Sequence, residues 1–169
     1  VSVIRSKVRA GRLEMKNLLL SRLPDDLTGL SVLDAGCGTG QMAIDLGLRG
    51  AEVLGIDISP NLIDIANRRL PKKLQSKVKF RVSDMMQNHG AFDYVILMDS
   101  LIHYPKDNTL DVLEALMLRT RNRILFTLVP INSFLKIKLS IGRLFPQSDR
   151  SPILAPINTS SFIQMFKES

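Results

Sequence analysis

The 169-residue chain is 45% hydrophobic and carries a net charge of +7, which supplies apolar material for one globular domain with a core and excludes a disordered polyelectrolyte. Its longest apolar run, Ile124 to Ile131, is interrupted by Thr127 and Pro130 and falls far short of the ~20 residues that span a bilayer. The lone cysteine, Cys37, excludes an internal disulfide framework, and the N-terminus lacks a signal-peptide pattern, so a reducing, cytoplasmic setting is expected.

In chain order, Val1 to Leu23 places Val8, Leu13, Met15, Leu18 and Leu19 at helical spacing among many charges, with no proline before Pro24. This predicts one amphipathic helix over 1–23. Pro24-Asp25-Asp26 and Thr28-Gly29 mark a turn, and a strand follows over Ser31 to Asp34. The apolar pair Val32-Leu33 then breaks into Asp34-Ala35-Gly36-Cys37-Gly38-Thr39-Gly40. The three glycines permit positive φ and close backbone approach to a ligand. Gln41 to Leu46 returns to helical spacing, so the loop ends at a helix N-terminus, where unpaired N–H groups face outward. Cys37 sits between two glycines and reads as a small filler; a catalytic thiol would need a base that nothing in the sequence places beside it.

A second strand, Ala51 to Asp57, ends in an acid 21 residues beyond Gly36. An acid so placed after a glycine loop accepts hydrogen bonds from ribose hydroxyls; the competing reading is an exposed loop aspartate. Ser59 and Pro60 have the types expected of a helix cap and first helical position. A third strand, Lys77 to Val82, ends at Ser83-Asp84-Met85, and a fourth, Phe92 to Met98, is nearly continuous and apolar, as a strand covered on both faces should be. Asp107 to Arg119 has helical spacing, and Arg123 to Val129 forms a fifth strand. Repeated alternation of strand and helix implies a parallel sheet with helices on both faces. Ligands of such sheets bind beyond the carboxyl ends of the strands, where Asp34, Asp57, Asp84 and Asp99 all fall. Asp84 at the third strand end is expected to accept from an adenine amino group, with Met85 packed on the ring.

After the fifth strand, Ile131 to Phe145 is apolar and basic, Pro146 to Pro156 reads as a loop, and Asn158 or Thr159 is placed to cap a helix from Ser161. Met117 to Arg150 holds seven basic residues against one acid, Asp149, which is either a solvated face or a site for an anionic ligand.

The loop spacing is G-x-G-x-G, and Gln41 occupies the third glycine position of a dinucleotide fingerprint, which disfavours a dehydrogenase. D-A-G-C-G-T-G resembles motif I of class I methyltransferases that use S-adenosylmethionine. The resemblance implies a Rossmann-like α/β fold and a cofactor site of Asp34, Gly36, Cys37, Gly38, Gly40, Asp57, Ile58, Asp84, Met85 and Asp99. Met98 to Tyr104 and Gly142 to Pro152 are more particular: they resemble segments of the magnesium-protoporphyrin IX O-methyltransferase family of chlorophyll and bacteriochlorophyll synthesis. Membership implies methyl transfer to a propionate of magnesium protoporphyrin IX, with the magnesium belonging to the substrate and no metal bound by the protein.

A propionate is an anion at neutral pH, by analogy with ~4.3 for glutamate, so alignment matters more than a strong base. Under the resemblance His103 holds the carboxylate and removes any residual proton; as an alternative it caps the loop after the fourth strand. Ile102 and Tyr104 contact the macrocycle, and Arg143 or Arg150 pairs with the second propionate. The same resemblance implies one domain over 1–169, with a cofactor core over 31–129, a substrate-covering segment over 130–157 and the start of a last helix over 158–169. Family members continue into two further strands and carry an N-terminal arm; both lie beyond this chain, so a piece of a longer enzyme is expected.

Expected partners are the porphyrin and the porphyrin-binding subunit of magnesium chelatase, with at most peripheral contact with a photosynthetic membrane. The fourth strand ends in M-D-S-L rather than in sequences that hold a flipped base, so nucleic acid is not expected. A methyltransferase acting on a quinone or other small metabolite, and a cofactor- or porphyrin-binding fragment without catalysis, are the competing readings.

Overall fold

The computed structural model describes residues 2–101 and 106–127. Helix α1 (Ser2–Leu20) leads into strand β1 (Ser31–Ala35), helix α2 (Gln41–Leu48), strand β2 (Glu52–Asp57), helix α3 (Pro60–Arg69), strand β3 (Val78–Val82), strand β4 (Phe92–Leu97), helix α4 (Lys106–Met117) and strand β5 (Thr120–Phe126). The five strands form one parallel sheet in the order β3-β2-β1-β4-β5. From β1 the chain winds outward to β3, then returns to the other side of β1 for β4 and β5. The reversal lies between β1 and β4, and a sheet wound this way opens a crevice there, beyond the strands' carboxyl ends.

Period-two alternation places successive strand side chains on opposite faces. Val32, Tyr94 and Ile96 join one core with Leu19, Leu20, Met42, Ala43 and Leu46, from α1 and α2. Leu33, Ala35, Val95 and Leu97 join a second core with Val112, Leu113 and Leu116 of α4. Helices therefore cover both faces, as the apolar continuity of the fourth strand predicts.

Helix α3 follows its sequence signals closely. Ser59 caps it by accepting from the Leu62 N–H at 3.4 Å, Pro60 opens it, and Arg68 and Arg69 occupy its last turn, where cations complement the helix dipole.

Two boundaries differ from expectation. Helix α1 ends at Leu20 rather than Leu23, and Leu13 and Leu18 of the expected apolar set are more than half exposed. Strand β5 begins at Thr120, three residues early, with Arg121, Asn122 and Arg123 exposed. Its start is held by the ladder to β4, where Thr120 opposes Phe92; the three residues that follow are exposed, so hydrophobic patterning missed it. Arg121 also pairs with Asp93 at 3.5 Å, and Asp93 accepts from the Ser31 N–H and hydroxyl. These contacts, the Ser31 bonds foremost, hold the Asp93 carboxyl below the usual range.

The segments expected over 130–157 and 158–169 lie outside the described residues. Among the described residues no helix is long and apolar enough to cross a membrane.

Candidate cofactor and active site

The loop after β1 is anchored by the Gly36 and Cys37 N–H groups, which both donate to the Ile56 carbonyl at 2.8 and 2.9 Å. Its three glycines all have positive φ, for different reasons. A Cβ on Gly36 would lie 2.3 Å from the Ser100 Cβ, and one on Gly40 would lie 2.5 Å from the Phe80 ring. Around Gly38 nothing lies within 4 Å of that position. Only Gly38 faces open space; Gly36 is required by the neighbouring strand end, and Gly40 by the ring beneath it. At Gly40 the absence of a side chain also serves packing and the turn into α2.

The end of β2 is built into this loop. One carboxylate oxygen of Asp57 accepts from the Gly38 N–H and the other from the Ser59 N–H, each at 2.9 Å. Each oxygen retains a further acceptor site, as recognition of a ribose diol requires. A cleft of about 510 Å³ opens beside it, walled by Ile58, Leu62, Ser83 and Met85. On the other side of Gly36 and Gly38 a second space of about 410 Å³ continues beneath α1, with Arg12, Lys16, Gln41 and Arg69 around it and Asp34 at its floor. The two lobes suit a nucleoside with a charged tail, one offering a carboxylate and apolar walls, the other charged groups.

Asp34 is 1% exposed, and its Oδ2 has no hydrogen-bond partner. Burial pushes its pKa up to about 7, against an opposing hydrogen bond from the Ala43 backbone, with the negative charge of Asp57 adding to the rise. A buried carboxylate with an orphaned oxygen is costly in isolation and fits a cationic ligand group. The Ser100 hydroxyl is likewise buried without a partner, at the wall of the larger lobe. The Cys37 thiol is pushed upward in pKa, first by burial and then by Asp34 and Asp57. It is not a nucleophile there and fills space, as its position between glycines suggests.

Asp99 leaves β4 with φ 57, the one positive φ among described residues other than glycine. Its N–H donates to the Thr127 hydroxyl at 2.8 Å, and its carboxylate accepts from Arg12 Nε at 3.1 Å. Contacts from Thr127, just past β5, and from Arg12 of α1 thus hold a backbone conformation that non-glycine residues seldom adopt.

Of the sequence-predicted cofactor residues, Asp34, Gly36, Cys37, Gly38, Asp57, Ile58, Met85 and Asp99 line the two lobes. Asp84 stands exposed beside them, with Oδ1 accepting from the Met86 N–H at 2.8 Å; its neighbours Ser83 and Met85 form the wall. Ile102, His103, Tyr104, Arg143 and Arg150 lie outside the described residues. Sequence reasoning missed Arg12, Lys16, Leu62, Arg69 and Ser100. For Arg12 and Lys16 a signal existed: their separation of four puts them on one helical face. Nothing local shows that this face overlies the glycine loop. Among the described residues no cluster of three or more His, Cys, Asp or Glu side chains could hold a metal ion.

Comparison with known proteins bears on this geometry. Residues 32–122 match the family described as Methyltransferase domain, and residues 97–169 match Magnesium-protoporphyrin IX methyltransferase C-terminus. The magnesium-protoporphyrin O-methyltransferase of Rhodobacter capsulatus is 52% identical over 157 residues, covering 92% of this chain and 70% of that protein. Demethylmenaquinone methyltransferase of Lactococcus lactis is 36% identical, but over only 54% of this chain and 36% of its own length. The crystal structure of magnesium protoporphyrin IX methyltransferase from Synechocystis PCC 6803 with bound S-adenosylhomocysteine superposes with a TM-score of 0.77 at 28% identity, covering 98% of this chain and 74% of that one. Two lobes about a glycine loop, with a carboxylate at the second strand end, are what S-adenosylmethionine requires, and the likeness to the Rhodobacter protein runs through nearly all of the sequence: the chain belongs to the magnesium-protoporphyrin O-methyltransferase family of S-adenosylmethionine-dependent methyltransferases.

Proposed function

We propose that the chain is the catalytic domain, or the larger part of it, of an enzyme that methylates a propionate carboxylate of magnesium protoporphyrin IX and yields the monomethyl ester. The observation that carries this reading is where the family likeness extends. The quinone methyltransferase aligns with about half of the chain, whereas the porphyrin family's C-terminal description takes in residues 97–169, the part expected to choose the acceptor.

S-adenosylmethionine, when bound, supplies an electrophilic methyl group on a sulfonium. Asp57 holds the ribose, Ile58, Leu62 and Met85 cover the base, and the buried Asp34 with the partly buried Asp99 favours a positively charged tail. The acceptor is already ionised at neutral pH, so the protein's task is to hold it in line and exclude water. His103 is assigned to orient the carboxylate, Ile102 and Tyr104 to contact the macrocycle, and Arg143 or Arg150 to pair with the second propionate. On the same reading the porphyrin is received from the porphyrin-binding subunit of magnesium chelatase in the cytoplasm, with at most peripheral contact with a photosynthetic membrane; the net charge of +7 suits acidic partners.

Incubation with methyl-labelled S-adenosylmethionine and magnesium protoporphyrin IX tests the assignment. Labelled monomethyl ester is the expected product; label in a quinone acceptor, with none in the porphyrin, would overturn it.

A further inference from the structure

His89 lines neither lobe, yet it stands behind the turn that walls the larger one. That turn leaves β3 at Ser83, whose N–H donates to the Asp57 carbonyl at 3.0 Å, so it starts from the backbone of the residue that holds the ribose. Ser83 and Met85 face the cleft. Between them the Asp84 carboxylate is oriented by the Met86 N–H, which donates to Oδ1 at 2.8 Å. The Asp84 carbonyl accepts twice, from the Gln87 N–H at 3.1 Å and from His89 Nε2 at 2.9 Å. A carbonyl oxygen has two lone pairs and nothing to donate, so its capacity is filled and the half-buried ring carries a proton on Nε2. The Ser83 hydroxyl lies 3.4 Å from the same nitrogen and gives its own proton to Gln87 Oε1 at 2.7 Å. With both protons directed elsewhere, Ser83 and His89 are not a nucleophile and its base.

We propose that His89 is a positioning residue for recognition of the donor's base: by holding the Asp84 main chain it fixes the edge of the turn that meets the exocyclic amino group of adenine. The turn lies between β3 and β4 and has no strand ladder of its own, and Asp84, Met86 and Gln87 are exposed. Its shape therefore depends on the bonds that converge on it. Arg119 holds the far end by donating to the Gln87 carbonyl at 2.7 Å. The His89 ring holds the centre, at the residue that carries the acceptor. Without the ring the turn samples more conformations, and a ligand that needs one of them must order it on binding. The proposal rests on S-adenosylmethionine as cofactor, with its base in the larger lobe, and is independent of the acceptor.

The test pairs a change in the protein with a change in the base. Titration calorimetry compares the unaltered chain and His89→Ala with S-adenosylhomocysteine and with S-inosylhomocysteine, in which a carbonyl replaces the amino group. The unaltered chain should prefer the adenine ligand by about tenfold, the scale of one hydrogen bond whose partner is otherwise left unpaired. His89→Ala should weaken S-adenosylhomocysteine by about fivefold and leave S-inosylhomocysteine within about twofold, so that the preference collapses. His89→Gln, whose amide nitrogen reaches the place of Nε2, should restore most of it. A variant that weakens both ligands alike, or that lowers the melting temperature with the preference intact, would overturn the proposal while leaving the cofactor reading in place. If the unaltered chain binds neither ligand, the cofactor reading falls, and this proposal with it. Nitrogen NMR serves if the variants fail to fold: in the His103→Phe chain, which leaves His89 as the single histidine, the ring should show its proton on Nε2 and its signals should shift when S-adenosylhomocysteine saturates the site. A proton on Nδ1 alone, or ring signals blind to the ligand, would overturn it.

Discussion

The Gly38 N–H donates to Asp57 Oδ2 at 2.9 Å across 19 residues of sequence, so the glycine loop and the ribose acceptor form one hydrogen-bonded unit. Asp57→Ala removes both the acceptor for the sugar and the tether for the loop. Affinity for S-adenosylhomocysteine, measured by calorimetry, should fall about tenfold to hundredfold, the range of one to two charge-assisted hydrogen bonds. An unchanged affinity would dismiss the ribose assignment.

The loop glycines should separate into two classes. Gly40→Ala drives a Cβ into the Phe80 ring at 2.5 Å from a φ of 80° and should cost about 1–3 kcal/mol of stability, as overpacking does. Gly38→Ala meets no neighbour and should cost only about 1–2 kcal/mol from its left-handed backbone, yet it lines both lobes and should lose more cofactor affinity. Thermal melts and ligand titrations on the pair distinguish the roles; identical profiles would dismiss the division.

Asp34 makes stability depend on pH in a stated direction. Its folded-state pKa of about 7 lies above the ordinary 3.8, so between these values the folded chain holds more protons than the unfolded one. The associated stability is fully present below pH 3.8 and is lost as pH rises through about 7. Asp34→Asn should flatten this decline in the ligand-free chain. An Asn variant whose melting temperature follows pH as steeply as the parent's would contradict the assignment.

For His103, substitution by Phe should lower turnover on magnesium protoporphyrin while leaving S-adenosylhomocysteine affinity within about twofold. A fully active variant would return this histidine to a structural part in the loop after the fourth strand.

Much of this architecture is legible because burial and chemistry coincide in the sequence. Val32-Leu33 and Tyr94 to Leu97 alternate between two cores, and the Ser59-Pro60 cap carries its signal locally. Asp57 was found by its distance from the glycines. Arg12 was not, because its place depends on the packing of α1 beside α2 and the end of β4, a tertiary fact without local imprint. The start of β5 was missed for a related reason: a backbone ladder holds Thr120 to Arg123 in a strand whatever their side chains prefer. Gly36 and Gly40 read in the sequence as glycines that permit positive φ and approach to a ligand, but the sequence does not name the Ser100 and Phe80 atoms that leave no room for a side chain there.

Phe80 occupies the space that Cβ atoms would claim at both Gly40 and Gly55, at 2.5 and 2.6 Å, and it lines neither lobe. A ring from the third strand therefore limits the shapes open to a loop it does not share with any ligand. With a smaller residue there, as in Phe80→Leu, the loop would sample more conformations before binding and surrender them on ordering. Calorimetry would register the change as a less favourable binding entropy with every direct ligand contact intact, so the third strand sets how much freedom the donor site must give up when it is filled.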